Sequence, residues 1–212
     1  MPCGIGWNHA SRHWLVFRVR QEYNICLRSK ALTAPANRRR KASGPARRPT
    51  LDQQLKSLAL IVFDFDGVMT DNRVLVTDDG REAAWCNRSD GMGVSLLRQS
   101  GLPILILSTE TNPIVAHRAR KLKVECIHGS EDKWATLAGV LQARNIDPAL
   151  VAYVGNDVND VECLRRVGLP ICVADAYQPA KQLARLITRR RGGEGAVREI
   201  CDAILRARGA AQ

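Results

Sequence analysis

Two aspartates, Asp64 and Asp66, stand two positions apart at the end of the apolar run LALIVF (58–63), with Gly67 directly after them. Ser108 closes a second apolar run, PILILS (103–108), and Thr109 and Glu110 lie just beyond it. Lys133 opens a helical pattern, and the loop GNDVND (155–160) follows a further run, VAYV (151–154). Paired carboxylates, a hydroxyl, a lysine and an acidic loop are the groups that phosphoryl transfer through an aspartyl-phosphate requires. A capped turn after a strand would account for one aspartate, but poorly for two in alternation between LIVF and a glycine. In GNDVND, Asn156, Asp157 and Asp160 can all ligate a hard cation, although a neutral amide leads where a carboxylate would bind more strongly.

These groups need elements to hold them. LALIVF, PILILS, VECI (124–127), VAYV and PICVA (170–174) have strand length and are apolar throughout. Helical patterns lie between them. SDGMGVSLLRQSG has Asp90 placed to cap and Gly101 to stop, and TNPIVAHRARKL has Asn112 as N-cap. DKWATLAGVLQARN puts Trp134, Leu137, Ala138 and Leu141 on one face, and GAVREICDAIL aligns Val197, Ile200, Cys201, Ile204 and Leu205. Near-continuous apolar strands alternating with helices predict an α/β fold, a parallel sheet covered on both faces in three Rossmann-like layers. Ligands of such sheets bind beyond the carboxyl ends of the strands, where the candidate residues cluster. Residues 73–88 depart from the alternation: two short strands around DDG predict a hairpin, and no length remains for a cap domain.

Composition bounds the alternatives. The chain of 212 residues has a net charge of +11, but +10 of it lies in residues 1–50. The strongly basic character therefore belongs to a leader. Within it, residues 13–27 show some apolar alternation, residues 34–49 read as disordered, and His9 and His13 are weak metal candidates without acidic or cysteine neighbours. We assign residues 1–55 to a basic, disordered extension and residues 56–208 to the globular domain. A nucleic-acid role rests on the extension alone and is not expected. Seven scattered cysteines without a CxxC pair suit a reducing cytoplasm, and no apolar stretch approaches membrane-spanning length.

FDFDGVMTD is similar to the DxDGxxTD signature of the haloacid dehalogenase superfamily. The hairpin, the motif spacing and the GGEGAVRE tail resemble its capless sugar-acid phosphatase branch. That branch includes phosphatases of 3-deoxy-manno-octulosonate 8-phosphate and of 2-keto-3-deoxynononate 9-phosphate, and the phosphatase-like domain of acylneuraminate cytidylyltransferases. The resemblance implies Asp64 as nucleophile and Asp66 as general acid and then base. It implies Ser108 and Thr109 as phosphate contacts, and Lys133 as the cation that offsets charge on nucleophile and phosphate. Mg2+ would be held by Asp64, Asp66 through its carbonyl, Asn156 and Asp157, with Asp160 orienting Lys133 or metal-bound water. The resemblance further implies a homotetramer whose subunits cap one another through the hairpin and residues 189–199.

Two departures set the specificity and the activity expected. Glu110, with Lys121 in the helix that follows, matches the nononate 9-phosphate phosphatases and favours a nine-carbon substrate over octulosonate 8-phosphate. Asn156 stands where active members usually carry Asp, which weakens the charge available to the metal. A GN loop of this kind also occurs in domains fused to cytidylyltransferases, so a weakly active or non-catalytic oligomerisation module is the alternative.

Overall fold

A computed structural model of the chain describes residues 49–209. The leader, with the alternation over 13–27 and His9 and His13, lies outside the described residues. The folded part begins earlier than position 56. Thr50 and Gln53 form a reciprocal capping box that starts helix α1 (Leu51–Ser57). Leu55 is buried from this helix, and Gln54 Nε2 donates to the carbonyl of Gly168 at 2.8 Å.

Six parallel strands form the main sheet: β1 (Leu60–Phe63), β4 (Ile104–Leu107), β5 (Glu125–Ile127), β6 (Val151–Gly155), β7 (Leu169–Cys172) and β8 (Leu186–Ile187). Their order is β5-β4-β1-β6-β7-β8. Strands β1, β4 and β6 are buried at every position, because helices cover both faces and no side of these strands meets water. The chain leaves β1 for β4 on one side and later returns to β6 on the other. The carboxyl end of β1 is therefore the switch point, where open parallel sheets leave a crevice. The two-residue β8 has too little pattern to be seen in the sequence.

The helices are α2 (Arg88–Gln99), α3 (Ile114–Leu122), α4 (Lys133–Ala143), α5 (Val161–Arg166), α6 (Gln178–Lys181) and α7 (Ala196–Ala207). Val197, Ile200, Cys201, Ile204 and Leu205 of α7 are all buried against the core. Asp90 does not cap its own helix. Asn87 does so, accepting from Ser89 N at 2.8 Å. Asp90 lies buried and accepts from Arg198 N at 2.8 Å, so it caps α7, whose own N-cap is a glycine without a side chain.

Strands β2 (Thr70–Val76) and β3 (Glu82–Cys86) make the expected hairpin, a separate antiparallel pair. Val74, Leu75, Val76 and Trp85 on it are more than half exposed. No other insertion separates β1 from α2, so the described residues contain a flap and no cap domain.

Candidate active site

Side chains alternate along an extended segment, so Phe65 points into the core, fully buried, while Asp64 and Asp66 point the other way. The backbone then coils around the Phe65 carbonyl, which accepts from Met69 N at 2.9 Å and Thr70 N at 3.2 Å. Gly67 takes φ +74, and a side chain there would collide with the amide of Asn156 at 2.0 Å. Only glycine satisfies both demands. Thr70 Oγ1 accepts from Gly67 N at 3.1 Å and closes the loop.

Lys133, the first residue of α4, is buried with its ammonium between two carboxylates. Its Nζ lies 2.7 Å from Asp64 Oδ1 and 2.8 Å from Asp160 Oδ1. Asp160 is the anchor of the GNDVND loop. Its Oδ2 accepts from Asn156 N at 2.8 Å and Asp157 N at 3.2 Å, while Oδ1 also accepts from Tyr153 OH at 2.7 Å. The loop is thus closed upon a carboxylate that also holds the lysine.

The electrostatics follow from this arrangement. One lysine faces two buried acids, leaving a net negative charge. Burial, and behind it the charge of Asp160, pushes Asp64 up to about 7, although Lys133 pulls it down. Burial alone would lower the Lys133 ammonium, but Asp64 and Asp160 outweigh it and the net shift is upward. Partial burial, then the charge of Glu110 and more weakly that of Glu82, raises Asp66 above the usual carboxylate range against the pull of Lys133. A carboxyl held up in this way keeps its proton to higher pH, as a general acid must.

A cleft of about 130 Å³ opens above the buried ion pair, lined by Asp64, Asp66, Asn72, Thr109, Asn156, Asp157, Val158 and Asn159. Asn156 is buried, with its amide pressed against Gly67. Asp157 is half-buried, and its Oδ1 accepts from Val158 N at 2.7 Å. Ser108 ends β4 almost fully buried, with Oγ accepting from Glu110 N at 3.1 Å. Glu110 Oε1 in turn accepts from Asn112 N at 2.7 Å. Lys121 is exposed in the last turn of α3, ~10 Å along the helix axis from its start. The structure therefore brings Asp64, Asp66, Thr109, Asn156 and Asp157 into one cleft, sets Lys133 beneath it, and leaves Ser108, Glu110 and Lys121 out of its lining. His117 and His128 are exposed and outside it.

The donors suit a small hard cation. Among the described residues, no three His, Cys, Asp or Glu side chains converge on a metal position. Neutral oxygens must then complete any coordination, which Mg2+ accepts because it keeps several waters and uses one or two carboxylates. The uncompensated charge behind Asp64 favours a cation there.

Two features of the site escaped sequence reasoning. Tyr153 carries a hydroxyl in an otherwise aliphatic strand, a signal that a polar partner waits beside it. The segment 188–195 straps the nucleophile loop within the same chain: Gly193 N donates to the Val68 carbonyl at 3.0 Å, and Gly192 N to Asp175 Oδ1 at 2.9 Å. A side chain at Gly192 would meet the Gly67 carbonyl at 1.9 Å.

Comparison with known proteins agrees with this fold. Residues 107–200 match the family of haloacid dehalogenase-like hydrolases. The 3-deoxy-D-manno-octulosonate 8-phosphate phosphatase of Yersinia pestis is 34% identical over 154 residues, covering 72% of this chain and 82% of that protein. Among solved structures, a HAD family hydrolase from Streptomyces avermitilis MA-4680 superposes with a TM-score of 0.70 at 48% identity, covering 71% of this chain and 87% of its own. The octulosonate 8-phosphate phosphatase of Moraxella catarrhalis, in complex with magnesium, phosphate and KDO, superposes with a TM-score of 0.73 at 31% identity, covering 74% and 91%. A parallel sheet with the aspartate pair at its switch point and a buried lysine behind it defines a haloacid dehalogenase-like hydrolase, and the chain belongs to that family. Within it, the chain is a phosphatase related to the 3-deoxy-D-manno-octulosonate 8-phosphate phosphatases. No helix among the described residues is long and apolar enough to cross a membrane.

Proposed function

We propose that the protein is a Mg2+-dependent phosphomonoesterase acting on a 2-keto-3-deoxy sugar-acid phosphate through an aspartyl-phosphate. The observation that carries this reading is the Lys133–Asp64 contact of 2.7 Å beneath a cleft that also holds Asp66. Asp64 attacks phosphorus, and Asp66 delivers its proton to the departing sugar oxygen. Asp66, now ionised, takes a proton from water as that water attacks the aspartyl-phosphate, releasing inorganic phosphate and restoring Asp64. Lys133 favours the ionised nucleophile against its burial and offsets the charge of the incoming dianion. Ser108 and Thr109, past the end of β4, are the residues assigned to the phosphoryl oxygens. Asp64, the Asp66 carbonyl, Asn156 and Asp157 are the groups that would hold Mg2+, which would supply electrostatic stabilisation of the phosphoryl group.

Octulosonate 8-phosphate is the first substrate to test, because the curated relatives act on it. A nine-carbon acid phosphate is the second reading. The charge of Glu110, which raises Asp66, supports this reading, while Lys121 lies outside the cleft lining. The presence together of Asp64, Asp66, Ser108 and Lys133 supports catalysis over the reading as a mere assembly module. A homotetramer remains part of the proposal: the exposed apolar hairpin, with Met92 also exposed, suits burial against further copies. Sedimentation showing a fully active monomer would contradict it.

The experiment is Mg2+-dependent phosphate release from octulosonate 8-phosphate, nononate 9-phosphate and acylneuraminate 9-phosphate. Release from at least one, lost in Asp64→Asn, is expected. Failure on all three overturns the substrate class.

A further inference from the structure

Three non-glycine residues of the described chain have positive φ: Asn72, Lys123 and Asn145. Lys123 is the left-handed C-cap of α3, and Asn145 follows the C-cap of α4, which is how many helices end. Asn72, with φ +63, ends no helix. It lies where the hairpin register shifts, so that Asp71, Asn72 and Arg73 face Trp85 alone. Bulges of this kind re-aim a side chain and are frequent beside active sites.

Here the bulge aims Asn72 into the catalytic cleft. Its side chain lines the cleft together with Asp64, Asp66, Asn156 and Asp157, and its Cγ would lie 3.3 Å from a Cβ built on Gly67. The backbone N–H of Asn72 donates to Thr70 Oγ1 at 3.3 Å, but its side-chain amide makes no hydrogen bond within the described residues. Asn72 is also exposed while Asp64 is buried, so the amide stands at the mouth and the nucleophile at the floor. A phosphoryl group that reaches Asp64 leaves whatever it is esterified to beside Asn72. The amide offers two donor hydrogens and an acceptor, and it adds no charge to a mouth that Asp66, Glu110 and Glu82 already make negative.

We propose that Asn72 is a specificity-determining residue that hydrogen-bonds hydroxyl or carboxylate oxygens on the organic part of the phosphate ester. The proposal rests on the phosphomonoesterase reading and adds a contact to the leaving group. Strained backbone held at a cleft, with its side chain aimed inward and unpaired, is the pattern of a residue kept for its side chain. The ordinary alternative is that asparagine is merely tolerated in a left-handed turn.

Asn72→Gly separates the two, since glycine keeps the backbone geometry and removes the amide. The test compares steady-state constants of wild type and variant on a polyhydroxylated sugar phosphate that the wild type hydrolyses, octulosonate 8-phosphate first, and on phenyl phosphate. The expected result is a KM raised about tenfold for the sugar phosphate, as loss of one or two hydrogen bonds implies, with phenyl phosphate changed less than about twofold. The thermal midpoint should not fall. Unchanged constants on both esters, or an equal loss on both, overturn the proposal. Failure of the octulosonate reading appears separately, in the wild-type substrate panel. A wild-type enzyme that hydrolyses phenyl phosphate and no sugar phosphate overturns both.

Discussion

The ammonium of Lys133 sits 2.7 Å from Asp64 Oδ1, with both side chains almost wholly removed from water. The same ammonium holds Asp160 at 2.8 Å, so one cation serves two buried acids. Replacing it strands both. Lys133→Met should abolish turnover and cost roughly 3–5 kcal/mol of stability at neutral pH, the usual penalty for leaving buried charge unpaired. The cost should shrink in acid, where the stranded carboxyls bind protons. Urea denaturation near neutrality and at about pH 5 checks this, and an equal cost at both would refute the charge argument.

The raised Asp64 makes a second prediction, for protein stripped of metal. Its carboxyl titrates at about 7 in the folded chain against an ordinary 3.8, so the folded state binds the proton more tightly than the unfolded one. Stability from this group is therefore full below the ordinary value and is lost as pH rises toward 7. Thermal midpoints measured with chelator should decline across that window. Asp64→Asn should flatten the decline, and so should added Mg2+.

Asn156 lines the cleft with a neutral amide where a carboxylate would carry charge. Asn156→Asp should lower the Mg2+ concentration for half-maximal activity by about tenfold, because a charged donor binds a hard cation more tightly. A Mg2+ titration of activity reads this, with isothermal calorimetry as a check independent of turnover.

Gly192 lies on the Gly67 carbonyl, so Gly192→Ala must displace either the strap or the nucleophile loop. Turnover should fall by about a hundredfold, since displacement of an attacking group by about 1 Å costs that much. Circular dichroism should still report a folded chain, because the contact lies in loops outside the main sheet. Unaltered kcat would show that the strap does not position the loop.

What could be read from the sequence was what depends on local pattern. LALIVF, PILILS and VAYV are apolar enough to be central strands wherever the chain goes, and the aspartate pair must then fall at the sheet's carboxyl edge. The stripe of Val197, Ile200, Cys201, Ile204 and Leu205 fixed the buried face of α7 for the same reason. Distant partnerships were not legible. Asp90 has the right type and place to cap α2, yet it caps α7, more than a hundred residues on, because Asn87 already serves the nearer helix. Glu110 and Lys121 suggested one pocket, but neither lines the cleft, and of the two only the charge of Glu110 acts on Asp66. The boundary at 56 missed α1, whose Leu55 finds its apolar partners only in the folded chain.

Asp64 is the proposed nucleophile, and trapping the covalent intermediate tests that most directly. The protein, Mg2+ and a hydrolysed sugar-acid phosphate are quenched in acid during turnover, and the digested peptides are weighed by mass spectrometry. A phosphoryl group on the peptide carrying Asp64, absent from Asp64→Asn, is the predicted result. Undiminished phosphate release by Asp64→Asn, with no phosphorylated peptide in either protein, would contradict it.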